Sequence, residues 1–279
     1  MKRKTIFYLY NPYGTKIYKQ RKKENMMINI NPILLHLGPL EIRWYGVILV
    51  LMFMIGIFIA IHLAKSRKIK KEDILDFMPY LIISSILMAR IFHVFVYNFG
   101  YYQQHPWLML AIWKGGISVH GGVLGGILAA LIYCKKRKIV FYDLADILVI
   151  PLSFGVIFGR MGNLINQELY GKLTTLPWGI TFSTIPGKRH PSQIYEAITH
   201  AITFSVLLYL YKLKSLPKGF IFWSFVTLYS FFRFMTEFFR DQATTLFGLS
   251  TAQLMSIVLF ILGSIFLWKI FKIPKPEHL

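Results

Sequence analysis

The sequence predicts an all-α integral membrane protein, a bundle of about seven transmembrane helices. Three observations carry this. Of its 279 residues, 55% are hydrophobic and the mean hydropathy is +0.51, more apolar surface than a soluble domain of this length needs. The apolar residues gather in runs close to the roughly 20 residues that a helix needs to cross a bilayer. The basic residues sit in short clusters between those runs, the pattern that orients membrane proteins.

Seven candidate spans follow in order: 45–63, 75–97, 107–133, 144–159, 194–211, 219–238 and 251–271. Helices satisfy their own backbone hydrogen bonds, as the bilayer interior demands. The third span is long and interrupted by glycines, and the fourth is short. Aromatic residues reach 16%, and Trp and Tyr favour the membrane–water boundary. The net charge of +20 would point to nucleic acid in a soluble protein. Here the clustering between apolar runs points to the lipid bilayer instead, and no nucleic-acid partner is expected. Cys134 is the one cysteine, so no internal disulfide can form. The first 26 residues lack an apolar core region, so no cleavable signal peptide is expected.

Orientation is read from the loops. Lys65, Arg67, Lys68, Lys70 and Lys71 follow the first span; Lys135, Lys136, Arg137 and Lys138 follow the third; Lys212, Lys214 and Lys218 follow the fifth. Lys269, Lys272 and Lys275 close the chain. The opposite loops carry only Arg160, Lys172, Lys188, Arg189 and Arg240. The C-terminus is therefore expected in the cytoplasm, and residue 44 and the N-terminus outside. Residues 1–43 oppose this with nine Lys or Arg, eight of them before residue 24. Met26 and Met27 follow that basic stretch directly. Residues 1–26 are thus read as a basic extension foreign to the native chain, and 27–279 as a single membrane-embedded domain.

Charge inside hydrocarbon is costly and often marks function. Arg90, Lys114 and Arg233 are the basic residues in or near spans. Lys114, near a span edge, can simply snorkel. In the sixth span Tyr229, Arg233, Glu237 and Arg240 recur at intervals of four, four and three, which places them on one helical stripe. An Arg233–Glu237 structural pair is the plainer reading, but it leaves the second arginine and the tyrosine unexplained. Arg90, His93 and Tyr97 share a face of the second span. The third span holds Trp113 to Gly122, then Gly125 and Gly126. Its glycines, spaced by four, are accounted for by close helix packing. His120 among them is either hydrogen-bonded structure or a catalytic group.

The densest polar segment is Gly159 to Gly171. Arg160 there suits bidentate binding of phosphate or carboxylate, with Asn163, Asn166 and Glu168 supplying hydrogen bonds nearby. A solvated loop would be richer in Ser, Thr and Lys. Further on, Pro191 can open a helix with Ser192 and Gln193 in its first turn, and capping is the expected role for Ser192. No HExxH and no cysteine cluster appears, so no metal site and no cofactor are expected.

These segments together resemble the prolipoprotein diacylglyceryl transferase family. The resemblance spans the chain from about residue 32. It rests on Arg43-Trp44-Tyr45-Gly46, Ala89 to Asn98, Trp113 to Gly122, Gly159 to Gly171, Arg189 to Glu196, and Tyr229 to Arg240, six motifs in the family's order. Gln167 stands where Gly is common, and Ala252 precedes Gln253 where Gly is common. The resemblance implies a seven-helix bundle with short external arm and head segments, in the bacterial cytoplasmic (inner) membrane. It implies phosphatidylglycerol and prolipoprotein signal peptides carrying a lipobox cysteine as partners. The activity it implies is attack of the cysteine thiolate on the glyceryl carbon, giving a thioether and releasing glycerol phosphate. Under that reading Arg160 and Arg233 hold the phosphate, and His120 is the base or thiol-orienting group. Tyr45 positions the head group, with Asn163, Glu168 and, more weakly, Asn166 beside it. Tyr229, Glu237, Arg240 and Arg90 support them. A membrane transporter for an anionic lipid or solute would also place arginines in spans, but no internal repeat is present.

Overall fold

The computed structural model describes residues 8–10, 16–18, 27–28, 30–38, 40–213 and 215–272. The reading of residues 1–26 therefore falls mostly outside the described residues. Within that stretch lie only β1 (Tyr8–Tyr10) and β2 (Lys16–Tyr18), an antiparallel pair.

Eight helices follow among the described residues: α1 (Trp44–Ala64), α2 (Lys71–Phe92), the short α3 (Phe99–Gln104), α4 (Val119–Arg137), α5 (Phe141–Ile165), α6 (Ser192–Lys212), α7 (Phe220–Glu237) and α8 (Thr251–Phe271). Five stretches are long and apolar enough to cross a membrane: Trp44–Arg67, Lys71–Tyr97, Phe141–Ile165, Ser192–Lys212 and Thr251–Phe271. The chain is thus a multi-pass, mainly helical membrane protein. Of the other two long helices, α4 is glycine-rich and ends on Lys135-Lys136-Arg137, and α7 carries Arg233 and Glu237.

The third span differs most from expectation. Residues 107–118 are not part of its helix. They form 3-10 turns over Pro106–Leu110 and Ile112–Lys114 and then an extended stretch. Gly115 and Gly116 have φ of +81° and +78°, a backbone that breaks any helix and that glycine adopts freely. Helix α4 starts only after Ser118, whose Oγ accepts from the Gly121 amide at 3.3 Å and caps it. The fourth span is longer than expected, 25 residues against 16.

Half of α5's apolar window is buried inside the protein, against 17% for those of α1, α2 and α8. Helix α5 is therefore the axis of the bundle, and the exposed apolar faces of the outer helices, such as Phe58, Ile83 and Ile132, are the faces that lipid covers. Helices α1, α6 and α7 pack on α5, α2 packs on α4, and α8 packs on α7. Gly121 and Gly125 fit directly against α2. A Cβ on either would overlap the Met88 or Ser84 carbonyl oxygen, respectively. Between helices in lipid, such van der Waals fit replaces the hydrophobic effect.

The two ends of the bundle differ in chemistry. One end holds a close-packed apolar core that includes Leu63, Phe77, Tyr133, Ile147, Leu207 and Ile221. Asp146, fully buried there, supplies the cap that α7 lacks. Its carboxylate accepts from the amides of Gly219 (2.9 Å) and Phe222 (2.8 Å) and from Arg67 at 3.2 Å. The other end carries the connections that form head and hairpin. β4 (Ile33–Leu37) and β5 (Leu40–Arg43) form a hairpin leading straight into α1. β3 (Met27–Ile28) pairs in parallel with β6 (Ile180–Phe182), which pairs antiparallel with β7 (Lys188–Arg189). Arg160, Glu196, Arg233, Glu237 and Arg240 sit at this end.

Candidate active site

Helix α5 delivers Arg160 near its end, α6 delivers Glu196 from its second turn, and α7 delivers Arg233 and Glu237 from its last two turns. Glu196 is the hub. Its Oε2 is 2.8 Å from Arg160 Nη2, and its Oε1 accepts from Arg233 (3.0 Å) and Arg240 (2.6 Å). Glu237 takes the other sides of the two α7-end arginines, 3.0 Å from Arg233 and 3.4 Å from Arg240. The Ser250 hydroxyl donates to Glu237 at 2.9 Å, so the start of α8 is fastened to the same carboxylate. Both carboxylates and Arg240 are about 95% buried, whereas Arg160 and Arg233 keep 19% and 17% exposure. The cluster holds three guanidiniums against two carboxylates. A third carboxylate, Glu168, joins the set through Asn163, and the two most accessible guanidiniums are Arg160 and Arg233.

The expected Arg233–Glu237 pair exists, but it is one edge of this larger network. Tyr229, one turn before Arg233, lines a narrow cleft with Glu196, His200, Thr203 and Arg233, and its ring lies 5.7 Å from that of His200.

The polar segment at the end of α5 supports Arg160. Asn163 Oδ1 accepts from Arg160 at 3.2 Å, and its amide group donates to Glu168 at 2.8 Å. Asn166 donates to the same Glu168 oxygen at 3.3 Å. The chain reverses through Gln167 (φ +55°) and Leu169 (φ +58°). That left-handed turn is why glycine suits position 167. Gln167 offsets the strain by accepting from the Ser183 amide (2.7 Å) and hydroxyl (2.8 Å). Arg160 Nε is buried with no hydrogen-bond partner among the described residues.

Ser192 does not cap α6, as the sequence reading expected. Pro191 is the N-cap residue and makes no side-chain cap. Ser192 Oγ donates to Leu169 O at 2.7 Å, and Gln193 Nε2 donates to Glu168 O at 2.7 Å. These two side chains clamp the reversed segment, because the left-handed turn directs its carbonyls away from helix partners. Gly171 completes the join. Its amide donates to His190 O, and Lys172 donates to Phe239 O. A Cβ at Gly171 would overlap Phe239 O and His190. The His190 ring packs at a tilt against Phe239 here, and burial pushes its imidazole pKa below the usual value, so the neutral ring is favoured.

Tyr45 enters from the first turn of α1, and its ring lies over Gly162, where a Cβ would come within 2.6 Å. That packs the start of α1 against the last turns of α5. His120 stands in the first turn of α4, exposed, at this same end. Its Nδ1 is 2.8 Å from Tyr97 Oη. Tyr97 ends a π-helical turn, His93–Tyr97, that continues α2, a feature found frequently at functional sites. Arg90 is buried and donates to the carbonyls of Leu108, Met109, Ala111, Gly115 and Gly116. It shapes the irregular segment leading into α4.

Of the residues singled out from sequence, Arg160, Asn163, Asn166 and Glu168 form one connected set with Arg233, Glu237 and Arg240 through Glu196. His120 instead bonds to Tyr97. Glu196, Tyr97, Ser192 and Gln193 had no assigned site role. The signal for Glu196 was a lone carboxylate one turn inside an apolar helix, with no Lys or Arg within reach on that helix.

Residues 32–269 match the family model described as prolipoprotein diacylglyceryl transferase. Curated relatives named phosphatidylglycerol–prolipoprotein diacylglyceryl transferase include proteins of Geobacter sulfurreducens (41% identity, covering 84% of this chain and 93% of the relative), Rickettsia conorii (39%, 85% and 95%) and Photobacterium profundum (37%, 88% and 96%). The chain therefore belongs to the prolipoprotein diacylglyceryl transferase family and is a transferase.

Proposed function

We propose that this protein transfers the diacylglyceryl group of phosphatidylglycerol to the lipobox cysteine of prolipoproteins, the first step of bacterial lipoprotein maturation. The names of its relatives support the substrates. The observation that carries the chemistry is the arginine cluster opening through Arg160 and Arg233, the two guanidiniums that stay partly exposed. A phosphodiester brings a negative charge that these two guanidiniums can meet.

The carbon–oxygen bond between the glyceryl carbon and the phosphate breaks as the carbon–sulfur bond forms. The thiol, with an ordinary pKa near ~8.5, must first lose its proton. The departing glycerol phosphate gains charge, and preorganised guanidiniums stabilise it. Arg160 and Arg233 take this role, with Asn163 and Glu168 orienting Arg160 and Tyr45 against the head group. His120, steered by Tyr97, is the group that receives or orients the thiol proton. In this reading the arginine end faces outward, the C-terminus faces the cytoplasm, and seven helices of 27–279 span the cytoplasmic membrane.

The test supplies purified protein with phosphatidylglycerol labelled in its acyl chains and a lipobox peptide. Labelled thioether on the peptide is expected. Movement of lipid across vesicles without covalent labelling would establish the transporter alternative instead.

A further inference from the structure

At the end of the bundle opposite the arginines, α1 ends and α2 begins around an open groove of about 560 Å³. Phe58, Ile61 and Ile69 form its apolar wall; Lys65, Lys70 and Lys71 form its mouth, with Glu72 beside them. We propose that this groove binds one anionic phospholipid of the adjoining leaflet, an acyl chain lying along the wall and the phosphate among the lysines.

Four observations carry this. The turn bearing the lysines is fixed. Ile69 is buried, its amide returns to Ala64 O at 3.2 Å, and Lys68 takes the left-handed conformation. Ser66 and Tyr211 hydrogen-bond at 2.5 Å, and Tyr211 donates to Leu63 O. Arg67, in the middle of the same basic run, turns inward to Asp146, so the run is not uniformly solvated. Lys65, Lys70 and Lys71 form no ion pair among the described residues. Three lysines against Glu72 leave two excess positive charges among the lining residues when ionised, and the first turn of α2, which begins at the same mouth, has no side-chain cap.

An apolar wall continuous with a cationic mouth matches a lipid better than free phosphate. Phe58, 72% exposed, lies where the acyl chain would pass. The groove lies at the end of the bundle opposite the arginine cluster and shares no lining residue with it.

The experiment places a photo-crosslinking phenylalanine analogue at position 58 of the full-length protein. The delipidated protein is then offered radiolabelled phosphatidic acid or phosphatidylcholine. Crosslinking to phosphatidic acid is expected to exceed that to phosphatidylcholine severalfold. It should fall on the order of a hundredfold in K65Q/K70Q/K71Q, since each of the three lysines near an anionic lipid contributes about 1 kcal/mol and about 1.4 kcal/mol is tenfold. The matched variant K135Q/K136Q/K138Q, on a neighbouring turn, should crosslink like the parent. Equal labelling by both lipids, or equal loss in both triple variants, would reduce the groove to diffuse surface charge and overturn the proposal. Displacement of the lipid by millimolar glycerol phosphate would overturn it too, by showing that the phosphate binds without the chain. Retained transferase activity in both triple variants verifies that each is folded.

Discussion

The Glu196 carboxylate lies 2.8 Å from the Arg160 guanidinium and, with its other oxygen, 2.6 Å from that of Arg240. One buried acid thus ties the end of α5 to the segment after α7. In the low dielectric of the bundle, isolated arginines there would be strongly destabilising. The acid holds them in place and leaves Arg160 and Arg233 partly open.

Arg160→Lys and Arg233→Lys should each keep the charge and lose about 10²–10³ in transfer rate, because lysine lacks the planar fork that contacts two oxygens. If Arg233 only balanced Glu237, the double variant Arg233→Gln/Glu237→Gln would recover activity lost in Arg233→Gln. Since Arg233 also bonds Glu196, no recovery is expected. Thioether formation by variants that elute as folded protein in detergent is the measurement, and full activity in Arg160→Lys would remove that residue from the phosphate site.

Tyr97→Phe should lower kcat while leaving KM for phosphatidylglycerol nearly unchanged, since the hydroxyl touches only the His120 ring among the described residues. His120→Asn should cost more, within the range of about 10²–10⁴ for a lost proton-transfer group. A Tyr97→Phe variant that raised KM alone would place Tyr97 on the lipid instead.

Gly171→Ala should destabilise the join between head and α7 by about 1–3 kcal/mol, the usual cost of forcing atoms into filled space. The thermal midpoint in detergent should fall and activity should fall with it. Gly155→Ala, where nothing lies within 4 Å of an added Cβ, should leave the midpoint nearly unchanged. Equal midpoints for the two variants would show that the backbone crossing at Gly171 is loose.

Reporter fusions after residues 70, 102, 138 and 216 should report inside, outside, inside and inside, and the 160–192 loop should report outside. A cytoplasmic signal at 102 would invert the map. A chain begun at Met27 should insert and transfer like the full one; loss of activity with normal insertion would assign residues 1–26 a role.

The sequence by itself determined the membrane class, the order of the long helices and, through six ordered motifs, the family. Apolar run length and local charge spacing carry that information, and both are properties of neighbouring residues. The Tyr229–Arg233–Glu237 stripe was legible for the same reason, because a helix of fixed pitch sets it, whereas Arg240 lies past the end of α7 and reaches the same cluster from there. Only the tertiary structure decided that Glu196, 37 residues from Arg233, is the shared counter-ion, and that Tyr97 meets His120 across 23 residues. It also decided that Ser192 clamps the α5 turn rather than caps its own helix, and that the third span starts at Val119. Partners of a buried charge are chosen by which helices pack together. A helix start is chosen by the φ angles of Gly115 and Gly116 and by the Arg90 bonds that hold the chain there, and neither is written in hydropathy.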